Sequence, residues 1–155
     1  MENTKSVKSA RRKLVPVLVG LLVIVITAAA VLAFMDKGKS VEFKVLSEKE
    51  YPQEVAGDVI PEYRTLERAL ACKVDDKIYV IVTRGEKPAS GYKVSIDKMK
   101  LETEEGKETL IVYAVFKDPA KNDSMSQVLT YPLEVAEVQL KKLPDDIELR
   151  VQYEE

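Results

Sequence analysis

Residues 14–35 form an uninterrupted run of 22 residues without a charge, preceded by a basic cluster of Lys5, Lys8, Arg11, Arg12 and Lys13. A helix of that length rises about 1.5 Å per residue and covers roughly 30 Å, the thickness of a bilayer core. The run is therefore expected to be a single N-terminal transmembrane helix. Lys and Arg stay on the cytoplasmic side. Residues 1–13 are then a cytoplasmic basic segment, 36–40 a linker, and 41–155 a domain outside the membrane. The alternative is a secretory signal, cleaved after Val31-Leu32-Ala33 and leaving a secreted product. Against it, the apolar run exceeds the roughly 7–15 residues of a signal core. The run carries no ionisable residue and only one glycine, Gly20. It reads as an anchor rather than a transport element or a dimerisation helix.

The chain beyond the linker is long enough for one domain with a modest core. Residues 1–40 hold 7 basic and 2 acidic side chains, which leaves 17 basic and 24 acidic of the chain's 24 and 26, a net of −7. An acidic domain is repelled by phosphate backbones, so nucleic acid is not an expected partner. The single cysteine, Cys72, cannot form an internal disulfide. It reads as a small buried hydrophobe, with an intermolecular bridge as the alternative.

Periodicity predicts an α+β, mainly β domain: a six- or seven-stranded sandwich or open barrel with one or two short helices. Val41-Glu42-Phe43-Lys44-Val45 alternates as a half-buried strand does. Pro52 and Pro61 each stand near the start of a run without internal breakers, and Tyr63, Leu66 and Leu70 recur at helical spacing, so helices are expected between residues 48 and 72. From Lys77 onward the chain reads as sheet. Residues 78–83 and 110–116 are apolar on both faces, as strands within a covered sheet are. The alternation of Val94 and Ile96 slips by one residue at Asp97-Lys98 before Met99 and Leu101, which predicts a bulge. Residues 103–107 read as a hairpin turn. Residues 133–140 and 147–151 complete the sheet, separated by the turn Leu143-Pro144-Asp145-Asp146.

The chain has no histidine, which removes the commonest general base and metal ligand together. Cys72 lacks the partner a thiol nucleophile or a zinc site needs. The acid pairs Asp75-Asp76, Glu104-Glu105 and Asp145-Asp146 fall at expected turns, where carboxylates serve solubility and local hydrogen bonding. Ser95 and Lys98 match Ser-x-x-Lys, but that chemistry requires one helical turn between them and this stretch reads as strand. Asn122-Asp123-Ser124 is a formal glycosylation sequon. No catalytic residue, metal or cofactor is expected.

The candidate site is the loop Arg84-Gly85-Glu86-Lys87-Pro88-Ala89-Ser90-Gly91-Tyr92, which leaves one core strand and enters another. Gly85 and Gly91 can adopt positive φ at its ends, Pro88 stiffens its middle, and Tyr92 adds a large amphipathic ring. A rigid loop of this kind loses little entropy on binding. The alternative is a well-made turn with Tyr92 packed into the core.

Gly85-x-x-Pro88-x-x-Gly91-Tyr92 followed by an alternating strand resembles the signature of the PrcB C-terminal domain family, named for its association with a protease complex. The family's loop typically reads Gly-x-x-Pro-Thr-Gly-Gly-Tyr, and here Ala89-Ser90 replaces the Thr-Gly pair. Asp118-Pro119, a polar loop, and then Gln127, Thr130, Tyr131 and Pro132 resemble the family's Pro-loop-Gln-x-x-Thr-x-Pro segment. The resemblance covers roughly residues 79–140. It implies an extracytoplasmic domain without chemistry of its own, partnered with an exported protease or another envelope protein. Two alternatives stand beside it: a cell-envelope structural or ligand-binding module, and a peptidase inhibitor. The second rests on the likeness of residues 88–92 to the Pro-Thr-Thr-Gly-Tyr loop of chagasin-type inhibitors, whose other loops have no counterpart here.

Overall fold

The computed structural model describes residues 38–120 and 125–154. The expected membrane span at 14–35 and the sequon at 122–124 lie outside them. Among the described residues no helix is long and apolar enough to cross a membrane.

Eight strands form two four-stranded sheets: β1 (Lys39–Ser40), β2 (Phe43–Val45), β3 (Glu67–Val74), β4 (Lys77–Arg84), β5 (Lys93–Glu104), β6 (Lys107–Lys117), β7 (Leu133–Val138) and β8 (Asp146–Glu154). One sheet has the order β1-β5-β6-β8 and the other β2-β7-β4-β3. The domain is mainly β, with more strands than the six or seven expected. Two strands fall where none was expected: β1 in the residues read as linker, 36–40, and β3 in the stretch read as helical. Lys39 and Ser40 pair with Leu101 and Lys100 of β5, while residues 43–45 pair with β7 in the other sheet. Val41, buried at the crossing, marks the point where the chain changes sheets.

The helix expected through Leu70 also gives way. Among the described residues the helical run is 53–63, with α-helical residues at 53–54 and Ile60–Tyr63 (α1) on either side of a π-helical turn at Val55–Val59, after a 3-10 turn at Glu48–Glu50. Every residue from Glu67 to Val74 pairs antiparallel with β4. Ala69 and Ala71 face the core between the sheets, whereas Leu70, Cys72 and Val74 face a second cluster. A strand apolar on both faces has no period of two, so the helical spacing of Tyr63, Leu66 and Leu70 is the pattern that shows. Cys72 is half-buried in that second cluster and free.

The core between the sheets is built on Ile78, Val80 and Val82 of β4, Leu110, Val112, Ala114 and Phe116 of β6, and Met99 of β5. On the outer face of β4 and β7, Tyr79, Ile81 and Val135 pack with Leu46, Val55 and Ile60 of the helical segment. That second layer is why β4 is apolar on both sides. β3 and β4 are joined through Asp75 and Asp76, at φ 47° and 63°, and β5 and β6 through Glu105 and Gly106, at φ 52° and 83°. Both are tight two-residue connections whose twist suits a hairpin. β8 adds to β6 in parallel, from Thr109 opposite Asp146 to Lys117 opposite Glu154.

The register of β5 against β6 shifts between Ile96 and Lys98, where the slip in alternation predicts a bulge. The Ile96 N–H there donates to the Glu134 carboxylate of the opposite sheet at 2.5 Å. Burial pushes the Glu134 carboxyl above its ordinary range, and this hydrogen bond opposes the shift.

Candidate functional site

The two motifs lie far apart in sequence and meet in space at one pole of the sandwich. β4 and β6 end there, and β5 and β7 begin. The loop leaving β4 runs beside the segment leading into β7. Lys87 and Thr130 donate their backbone N–H groups to each other's carbonyls, both at 2.9 Å, as an isolated antiparallel bridge. The Thr130 hydroxyl donates to the Ala89 carbonyl at 2.7 Å. Ser90 donates its N–H to the Ser126 carbonyl, and its hydroxyl accepts from the Ser126 N–H, both at 2.9 Å. Tyr131 donates its hydroxyl to the Glu86 carboxylate at 2.9 Å, which raises its pKa above the usual phenol value.

The ends of the loop are fixed against other backbone. Gly85 has φ +76°, and a Cβ there would lie 3.1 Å from the Thr65 carbonyl. Gly91 has φ +96°, and its Cβ would stand 2.8 Å from the Cβ of Pro119. Only glycine meets both conditions without strain. Pro119 belongs to the second motif, so Gly91 is a point of close approach between the two.

Arg84 organises this pole from below. It is 3% exposed. Its guanidinium leaves β4 and donates to the carbonyls of Lys93 at 3.3 Å and Lys117 at 2.7 Å, in the opposite sheet, and to the Asp118 carboxylate. It lies 5.0 Å from the centre of the Tyr92 ring and 5.2 Å from that of Phe116, distances typical of cation–π contacts. Tyr92 is half-buried. Its ring packs on this cation rather than in the apolar core.

Most of the residues expected from sequence are therefore brought together: Gly85, Lys87, Ala89, Ser90, Gly91 and Tyr92 with Thr130 and Tyr131. Pro88 is exposed at the loop's tip, and Gln127 is exposed with no hydrogen-bond partner among the described residues. Arg84 opens the expected loop without being singled out as a contact residue, although a charge closing a run of six apolar or small residues is the signal that marks it. The arrangement holds backbone and aromatic surface in place. Among the described residues no group of three or more Cys, Asp or Glu is placed to hold a metal ion.

Comparison with curated proteins and with solved structures finds no match. Residues 78–139, which span nearly all of β4 through the end of β7, match the family model described as PrcB C-terminal.

Proposed function

We propose that this is a protein-interaction domain without catalytic activity, tethered outside the membrane through residues 14–35, which assists an exported protease or a related envelope protein. One observation carries the reading. Of the seven large hydrophobic side chains exposed among the described residues, Leu66, Met125, Val128, Leu129 and Tyr153 stand at the pole that bears the loop. Leu66 precedes Glu67, which pairs with Arg84, and Tyr153 pairs with Phe116. Met125, Val128 and Leu129 flank the residues bonded to Ser90 and Lys87. Exposed apolar side chains gathered at one place mark protein contacts. The tied loop beside them supplies a surface that needs little ordering on binding.

The loop and the first strand stand at opposite ends of the domain. The domain is entered at Gly38, and Lys39 pairs with Leu101 toward the other end of β5. From Lys93 to Leu101 a strand extends about 25 Å. The described domain therefore begins at the end remote from the loop.

The test is crosslinked affinity purification of the full-length protein from its own membranes. A folded Gly91→Val/Tyr92→Ala variant serves as control. An exported protease recovered in stoichiometric amount with the parent and lost with the variant supports the reading. Deleting the gene then separates a helper, whose loss lowers proteolysis, from an inhibitor, whose loss raises it. Recovery of nothing but cell-wall material or lipid, with proteolysis unchanged, favours the envelope module instead.

A further inference from the structure

Behind the loop, Tyr131 and Pro132 form one wall of a cleft of about 450 Å³ between β7 and the helical segment. The opposite wall is Tyr51, Ile60 and Glu48, and the start of β7 contributes Leu133. Ile60 follows the π-helical turn, whose widened ring is closed by the Ile60 N–H donating to the Val55 carbonyl. Such turns are rare and recur at functional positions. The cleft thus has an apolar floor, a tyrosine on each side and one charge.

Among the described residues that charge has no side-chain partner. The Glu48 carboxylate forms no ion pair or hydrogen bond with any described side chain, while the neighbouring Glu50 is held by Lys44 at 2.7 Å and by Ser47 at 2.9 Å. Glu50 is accordingly lowered to about 2, first through its bond to Lys44. Tyr51 is shifted upward by burial, and further by the charges of Glu48 and Glu134. Arg64 stacks 4.4 Å from the centre of the Tyr131 ring but does not line the cleft.

We propose that this cleft receives a basic side chain, lysine or arginine, presented by the protein that docks on the loop. The inference rests on the interaction reading above and specifies its partner. The aliphatic stem lies along Ile60, Pro132 and Leu133, as such stems do on apolar surface. The cationic head sits between the faces of Tyr51 and Tyr131 and is neutralised by Glu48, combining a cation–π contact with an ion pair. The charge balance agrees: the outer part of the chain carries 24 acidic side chains against 17 basic ones, counting from residue 41 of the totals in the sequence, so a basic partner is steered toward it.

The test is saturation-transfer NMR with the full-length protein in detergent micelles. The probes are acetylated, amidated Gly-Lys-Gly and the same peptide with norleucine, which keeps the stem and lacks the ammonium. The lysine peptide is expected to receive saturation at its ε-methylene and to bind several-fold more tightly than the norleucine peptide. Glu48→Gln, an exposed and conservative change, is expected to erase that preference, as is raised salt. Equal binding of the two peptides, no transfer to the lysine peptide, or a preference that survives Glu48→Gln would overturn the proposal. The parent reading fails separately: it falls if the full-length protein captures no partner, whatever the peptides do.

Discussion

Lys87 and Thr130 exchange two backbone hydrogen bonds of 2.9 Å, so the loop after β4 and the segment before β7 are a single paired structure. Two stretches that are separate motifs in sequence are one object in the fold. A few side chains and two glycines hold that object together, and each can be changed singly.

Thr130→Val removes the hydroxyl that donates to the Ala89 carbonyl at 2.7 Å. A lost hydrogen bond in a partly buried place lowers stability by about 1 kcal/mol. The backbone bridge itself survives the change. Amide exchange at Lys87 and Ser90 should therefore speed up in the variant while the amides of β4 and β6 stay protected. Unchanged exchange at both loop amides would show that the hydroxyl does not brace the loop.

Arg84→Lys should be far from conservative. The guanidinium reaches two carbonyls and a carboxylate from a position 3% exposed. An ammonium cannot match that fork and suffers more from desolvation. A loss of about 2–4 kcal/mol in urea unfolding is expected. Asp118→Asn should cost less than about 1 kcal/mol, because the Asp118 side chain is 54% exposed. Equal costs for the two variants would mean that the ion pair, rather than the carbonyl contacts, fastens Arg84.

Glycine substitutions separate strain from collision. Gly106 has φ +83° with open space around it, so Gly106→Ala bears only the backbone cost, about 1 kcal/mol. Gly91→Ala adds a contact of 2.8 Å with Pro119 to a φ of +96°, and should be clearly the more damaging of the two. Comparing their thermal midpoints tests whether Gly91 is a contact point or merely a turn residue.

Glu134 predicts a pH effect. Its pKa in the folded protein is raised by burial, so protonation favours the folded state. That contribution is fully present below the ordinary carboxylate value and is lost as pH rises through the raised one. At neutral pH the ionised carboxylate therefore weighs against the fold. Glu134→Gln keeps an oxygen to accept from Ile96 N–H and should be as stable as the parent or more so at pH 7, with the difference shrinking in acid. Glu134→Ala orphans the bulge N–H and should lose about 1–3 kcal/mol. Denaturation curves at pH 4 and pH 7 decide; a glutamine variant less stable at pH 7 than at pH 4, relative to the parent, reverses the sign.

Local chemistry was legible wherever one segment set its own conformation. The bulge at Asp97-Lys98 announced itself as a slip in alternation, because side chains on a strand must point to opposite faces in turn. The hairpin at 103–107 and the turn at Asp75-Asp76 were legible as polar turn residues between apolar runs, and positive φ occurs at both. The importance of Gly85 and Gly91 could be read in the same way. β3 was not legible, since the helical segment covers one of its faces and the sheet interior the other, which erases the period that separates strand from helix.

The amino-acid sequence by itself determined a mainly β domain after an apolar N-terminal run, a chain without histidine chemistry, and two motifs of one family. Only the tertiary structure decided that those motifs are one paired structure. A backbone bridge such as Lys87 to Thr130 is made of peptide groups that every residue carries, so no side-chain pattern records it. The same holds for Arg84, whose partners are mainly carbonyls at the ends of strands in the other sheet. Those acceptors come together only when β4, β5 and β6 have packed, and long-range contact of that kind is a property of the assembled sandwich.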